Sequence, residues 1–262
     1  MPRYKITVEY DGGPFVGWQR QDTGPSIQVA LEDAVFALSG ERVQVQGAGR
    51  TDSGVHARGQ VAHFDLLAEK RIEEVRGAIT FHLKPQPIVV IAAELAPKGF
   101  HARFSATYRR YHYRILNRRT PAAMERGHVW HVPVPLEIEA MQEAAFVLIG
   151  THDFNSFRSV SCQAKSSIKT LEELTVTRCD EEIHLDVGAR SFLHNQVRIL
   201  AGTLQLVGRG QWSRADVEAA LAARDRTRAG PTAPPDGLCL MEVRYDGRSD
   251  ADGDPEESID EN

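Results

Sequence analysis

The sequence predicts an α+β protein built from two split-βαβ halves, ferredoxin- or RRM-like, each an antiparallel sheet covered by helices. Three observations predict it. The order β-α-β-β-α-β can be read over residues 4–95. The same order recurs over 109–245 once one short extra helix is set aside. The helical stretches carry a single apolar stripe, so each needs a sheet to cover. The halves share little visible sequence, and the repeat rests on element order.

Tyr4-Lys-Ile-Thr-Val-Glu-Tyr10 alternates and is rich in β-branched and aromatic residues, so it reads as a strand that Asp11-Gly-Gly-Pro14 ends. A helix follows from Pro25 or Ser26, with Ile27, Ala30, Leu31, Ala34 and Leu38 on one face and Gly40 as its stop. Arg42–Gln46 and Gln60–Phe64 read as strands on either side of a glycine loop. Ile72–Leu83 reads as the second helix and Pro87–Leu95 as the last strand of this half. In the second half, strands are expected at Arg109–Leu116, Ile168–Thr177, Glu182–Val187 and Leu238–Tyr245. Helices are expected at Leu136–Ile149, Phe192–Val207 and, as the extra one, Asp216–Ala223. The expected division is 1–102 for the half with the glycine loop, 103–245 for the half with a basic strand, and 246–262 for an acidic tail.

A length of 262 residues with 42% hydrophobic residues supports one large or two ordinary domains with a real core. No apolar run of membrane-spanning length occurs, and the N-terminus has no signal-peptide layout. Three scattered cysteines, Cys162, Cys179 and Cys239, suggest reduced thiols and a cytoplasmic protein. The net charge of −5 is uneven. Residues 246–262 hold eight acids against Arg248 and carry −7, which leaves +2 on the rest. So polar an acidic tail is expected to be disordered. The mildly basic remainder permits a nucleic-acid partner.

The stretch that stands out is Gly47-Ala-Gly-Arg-Thr-Asp-Ser-Gly-Val-His-Ala-Arg-Gly-Gln-Val61. Four glycines allow a tight loop and close approach of a ligand, and one carboxylate, Asp52, sits between Arg50 and Arg58. A neighbouring cation favours the ionised form, which suits nucleophilic attack or proton abstraction rather than acid catalysis. The bland alternative is a turn aspartate bonded to its own backbone. Asp52-Ser53-Gly54 and Asp22-Thr23-Gly24 also fit the aspartic-protease triplet. The second of these leads into a helix instead of following an apolar strand, and the helices argue against an all-β protease.

A second feature is Arg103–Arg114, where cations interleave with aromatics, offering phosphate contacts and stacking surfaces together. On a strand, Arg109, Tyr111 and Tyr113 share one face and Arg110, His112 and Arg114 the other. One face must meet the core, so burial of Tyr111 and Tyr113 is as good a reading as stacking. No histidine or cysteine grouping has zinc spacing, and no Walker or dinucleotide loop appears. Arg198 lies in a helix beside the apolar stripe, and spacing alone does not name its partner.

The glycine loop closely resembles the signature of tRNA pseudouridine synthases of the TruA type. Further pieces agree in order: Phe100–Ala106, Arg109–Tyr113, Gly150–Arg158, Phe192–Arg198 and Gly237–Leu240. The resemblance spans roughly residues 4–245 and leaves out only the acidic tail. It implies isomerisation of uridine to pseudouridine at positions 38, 39 and 40 of the tRNA anticodon arm, with no cofactor and no metal. The family's catalytic aspartate falls on Asp52, acting on C1′ as nucleophile or on a ribose proton as base. Its active-site tyrosine falls on Tyr111, its aspartate-pairing arginine on Arg198, and an apolar pocket wall on Leu240. Arg50 supports the loop or helps flip the base. The resemblance also implies a homodimer with tRNA lying across both subunits. Arg58, Arg109, Arg110, Arg158 and Lys165 are the candidate phosphate contacts. The alternative is a non-catalytic RNA-binding or chaperone module on the same sheets.

Overall fold

The structure is a computed structural model, and it describes residues Met1–Tyr245. The expected acidic tail lies outside the described residues. The described chain divides into two compact units: Met1–Thr107 together with 240–245, and Tyr108–Cys239. The last strand thus groups mostly with the first half, and the change of unit falls at Thr107 rather than residue 102.

In the first unit, β1 (Arg3–Tyr10), β3 (His56–Asp65) and β4 (Ile88–Leu95) form an antiparallel sheet in the order β4-β1-β3. On the far side of β3 lies β10 (Leu238–Arg244), and the two-residue β2 (Gln46–Gly47) also pairs with β3. Tyr4, Ile6 and Val8 stand opposite Phe64, Ala62 and Gln60 across β1 and β3. All six are buried, as the alternation in β1 foretold. Helices α1 (Ile27–Ser39) and α2 (Ile72–Leu83) bring the apolar partners, with Ile27, Leu31, Val75 and Ile79 fully buried. Ser26 caps α1 by accepting from the Val29 amide at 3.3 Å, and Gly40 ends it in the left-handed region at φ +74°. The opposite side of β3 is covered too. Val61 packs with Ala48, Phe100 and Ala102, so the stretch after β4 folds back over the sheet.

In the second unit, β5 (Tyr108–Leu116), β9 (Glu182–Ala189), β8 (Ile168–Cys179) and β7 (Gly150–Asp153) make an antiparallel sheet in that order. A short β6 (Trp130–His131) runs parallel to β5. Helices α3 (Ile138–Phe146), α4 (Gln196–Gly208) and α5 (Arg214–Ala223) accompany it. Met141, Ala144, Ile199, Leu200 and Leu204 are wholly buried, and Leu174, Leu185 and Tyr113 are their counterparts on the strands. The sequence reading missed β6 and β7, which are too short for an alternating pattern to register. It also placed the start of α4 at Phe192. Residues 192–195 are irregular, and Asn195 at φ +62° begins the helix. The fold class is as expected, α+β with antiparallel sheets and helices. Among the described residues, no helix is long and apolar enough to cross a membrane.

Candidate active site

The loop from Gly47 to Val55 would be floppy by composition. What gives it one shape is the segment after β1, which the sequence reading treated only as a strand terminator. The Trp18 amide donates to the Thr51 carbonyl at 3.0 Å, and the Gly54 amide donates to the Phe15 carbonyl at 3.4 Å. Ser53 Oγ donates to the same Phe15 carbonyl at 3.2 Å. The Asp52 carbonyl accepts from the Val55 amide at 3.1 Å, closing a turn that leaves Asp52 half-buried. Tyr10 Oη and Thr51 Oγ1 are 2.8 Å apart.

Gln60 clamps the other limb of the loop. Its Nε2 donates to the Gly49 carbonyl at 2.8 Å and its Oε1 accepts from the Gly49 amide at 3.3 Å. Gln60 is wholly buried, so these bonds are what allows a polar amide in the core. Two glycines are required by contact. A Cβ on Gly47 would lie 2.5 Å from the Trp18 ring. Gly17 has φ +117°, and a Cβ there would lie 2.7 Å from the Thr51 carbonyl oxygen and 3.1 Å from the Asp52 carbonyl carbon. The backbone that carries Asp52 therefore rests directly on Gly17. Arg50 and Arg58 are exposed on the same loop and strand. Leu240, buried on β10, belongs to the same unit.

The second unit assembles a different group. Tyr111, opposite Val187 in the β5–β9 ladder, is 8% exposed and meets the Phe192 ring edge-on at 5.2 Å. Phe192 belongs to the irregular lead-in to α4. There Arg198 Nη1 donates to Asn195 Oδ1 at 2.9 Å and Arg198 Nε donates to the Ala233 carbonyl at 2.8 Å. Phe192 thus backs Tyr111, and Asn195 holds Arg198. Tyr113, two residues along the same face, is spent on structure. Its hydroxyl donates to the Pro234 carbonyl at 2.7 Å, and burial pushes the phenol far above its ordinary range.

The candidate phosphate contacts fall into two sets. Arg109 is 7% exposed, and its Nη1 donates to the Arg190 carbonyl. Arg110 pairs with Asp186 at 3.5 Å, beside His112, whose Nδ1 is 3.0 Å from the same carboxylate oxygen. Those two cations face inward or toward an acid. Arg58 and Lys165 are exposed, and Arg158 is half-buried with Nη1 donating to the Ala164 carbonyl at 3.3 Å. The Ser159 amide donates to the His194 carbonyl at 2.9 Å, which ties the Arg158 loop to the lead-in of α4.

The sequence reading missed Gly17, Trp18, Tyr10, Gln60, Phe192 and Asn195. Asp11-Gly-Gly-Pro14 and an isolated Gly-Trp pair were the available signals, but a loop's backing partner is not encoded in its own spacing.

One unit displays a carboxylate on a braced glycine loop, and the other holds Tyr111 against Phe192 and Arg198 on Asn195. Residues 6–105 and 144–246 match the family model described as tRNA pseudouridine synthase, and the chain belongs to that family. It is 57% identical over 245 residues to a tRNA pseudouridine synthase A of Rhodospirillum centenum, covering 94% of this chain and 100% of the relative. The like-named protein of Afipia carboxidovorans is 56% identical with the same coverage. That of Rhodospirillum rubrum is 56% identical over 251 residues, covering 96% of this chain and 90% of the relative.

Proposed function

We propose that this chain isomerises uridine to pseudouridine in tRNA, at positions 38, 39 and 40 of the anticodon arm, and that Asp52 carries the chemistry. The observation that carries the reading is a carboxylate held on a loop whose backbone is braced at Thr51, Ser53 and Gly54 by residues 15–18, in a chain of this family. Catalysis by a positioned group needs such bracing, because a misplaced group forfeits most of its effect.

The reaction breaks the N1–C1′ bond, turns the uracil and forms a C5–C1′ bond, while a proton leaves C5 and N1 gains one. No electrons are gained or lost overall. Asp52 acts as the anion, either bonding C1′ or taking a ribose C2′ proton. Tyr111 stacks on the base and receives the C5 proton. Arg198 pairs with the aspartate, Leu240 forms an apolar wall, and Arg50 supports the flipped nucleotide. A uridine inside a stem must leave its stack first, at a cost of a few kcal/mol.

The protein works as a cytoplasmic homodimer on tRNA, with Arg58, Arg158 and Lys165 as phosphate contacts. Arg109 and Arg110, already engaged by Arg190 and Asp186, are the weaker members of that set. The non-catalytic RNA module is not favoured.

The test is incubation of unmodified tRNA transcripts with the protein, then mapping of pseudouridine at nucleotide resolution. Conversion at 38–40 is expected, together with its loss in Asp52→Asn at nearly unchanged tRNA affinity. Silence of the wild type, or turnover by Asp52→Asn, would overturn the assignment.

A further inference from the structure

One sequence motif is not used by the chemistry above. Phe100–Ala106 folds into a turn whose five successive amides from His101 to Ser105 all have partners. The His101 amide donates to Ser105 Oγ at 2.9 Å, and the Ala102 amide donates to His63 Nδ1 at 3.1 Å. The Arg103 and Phe104 amides both donate to His101 Nδ1, at 3.1 and 3.3 Å. The Ser105 amide donates to the His101 carbonyl at 2.9 Å. Arg3 Nη1 donates to the Phe100 carbonyl at 2.5 Å, and Tyr245 Oη donates to the Ala102 carbonyl at 2.8 Å. Phe100 and Ala102 are buried against Ala48 and Val61, which flank the Asp52 loop. The turn therefore packs against the two ends of that stretch.

At the tip of this over-determined turn the side chain on display is apolar. Phe104 is 41% exposed. Behind it the rings continue inward: Phe104 to His101 at 4.3 Å between centroids, and His101 to His63 at 4.7 Å. The Arg103 guanidinium lies 5.7 Å from the Phe104 centroid. An exposed aromatic ring backed by a histidine, with a cation over it, is the make-up of a stacking site for a nucleobase and its phosphate.

We propose that Phe104 and Arg103 form a second RNA-binding point, where Phe104 stacks on an unpaired base of the tRNA other than the reacting uridine and Arg103 meets its phosphate. The inference rests on tRNA being the substrate. The base is a different one because Phe104 stands on its own turn, anchored through the Ala102 amide at His63, and not on the loop that carries Asp52.

The experiment uses Phe104→Ala and Phe104→Trp in the full chain with unmodified tRNA transcript. Phe104→Ala is expected to raise the KM and the Kd for tRNA by roughly 5- to 100-fold, the range of one lost stack, with kcat within about twofold of wild type. Phe104→Trp is expected to bind as wild type and to show tryptophan quenching on RNA addition beyond that of the native Trp18, Trp130 and Trp212. Made in the Asp52→Asn background, the same quenching is read without turnover. If the wild type makes no pseudouridine but this double variant is still quenched by tRNA, the catalytic reading fails and the stacking point stands. Unchanged tRNA affinity in Phe104→Ala, no added quenching in Phe104→Trp, or an altered oligomeric mass instead of altered RNA binding would overturn the proposal.

Discussion

Gly17→Ala isolates the bracing of the Asp52 loop from the chemistry of Asp52 itself. The new Cβ would meet the Thr51 carbonyl oxygen at 2.7 Å, where ordinary contact begins at 3.4 Å, so the two backbones must part by about 0.7 Å. That movement stretches the Trp18–Thr51 hydrogen bond, now 3.0 Å, past useful length. Alanine at φ +117° adds strain of about 1–3 kcal/mol. A carboxylate shifted by such a fraction of an ångström should cost about 10- to 100-fold in kcat, with the KM for tRNA little changed. Release of tritium from tRNA labelled at uridine C5 measures turnover, and thermal unfolding measures stability. Gly40→Ala is the control. It also sits at positive φ, +74°, but nothing lies within 4 Å of its Cβ. It should lose stability and keep kcat. Wild-type kcat in a folded Gly17→Ala protein, or an equal loss in Gly40→Ala, would refute the argument.

Other expectations concern charge and the second unit. His63, buried and accepting from the Ala102 amide, has its pKa lowered from 6.5 to about 4, chiefly by burial and then by His101. The folded state thus prefers the neutral ring, so this stability is full above pH 6.5 and is lost as pH falls toward 4. Urea titrations at pH 7 and 5 should show about 1–2 kcal/mol lost in wild type, and His63→Asn should flatten that difference. Glu182 is held below its ordinary range by hydrogen bonds from Arg114, as Asp186 is by His112. Their contribution is present above the unfolded carboxylate pKa and disappears as pH falls through the folded values. Arg114→Gln should therefore move the acid-unfolding midpoint, followed by circular dichroism, to higher pH. Tyr111→Phe should keep its edge contact with Phe192 and its unfolding temperature, yet accumulate less pseudouridine. Wild-type product formation would remove the hydroxyl from the mechanism.

Much of the architecture was legible because local periods are local physics. β1 and β5 alternate, and their odd and even residues do lie on opposite faces. Ser26 and Gly40 bracket α1 as capping chemistry requires. The limits of that reading are specific. Alternation says which residues share a face but not what covers it. Arg109, offered as a candidate phosphate contact, is in fact buried, as are Tyr111 and Tyr113 on its face. The expected strand at Arg42–Gln46 shrinks to Gln46–Gly47, because pairing with His63 and Ala62 exists only there. The start of α4 moved to Gln196 because the backbone turns through positive φ at Asn195.

By itself the sequence determined the α+β class, the glycine loop with its single carboxylate, and a set of motifs in an order distinctive enough to resemble one family. These depend on residue identity and short-range spacing, which a chain carries whether folded or not. Only the tertiary structure decided what holds Asp52 in place: Phe15, Gly17 and Trp18 under the loop, and Gln60 across it. It also decided that Phe192 backs Tyr111 and Asn195 holds Arg198, and that Phe104 stands out on a turn whose amides from His101 to Ser105 find partners. Several of those contacts join residues distant in sequence, and all are set by which groups find partners once the chain is packed.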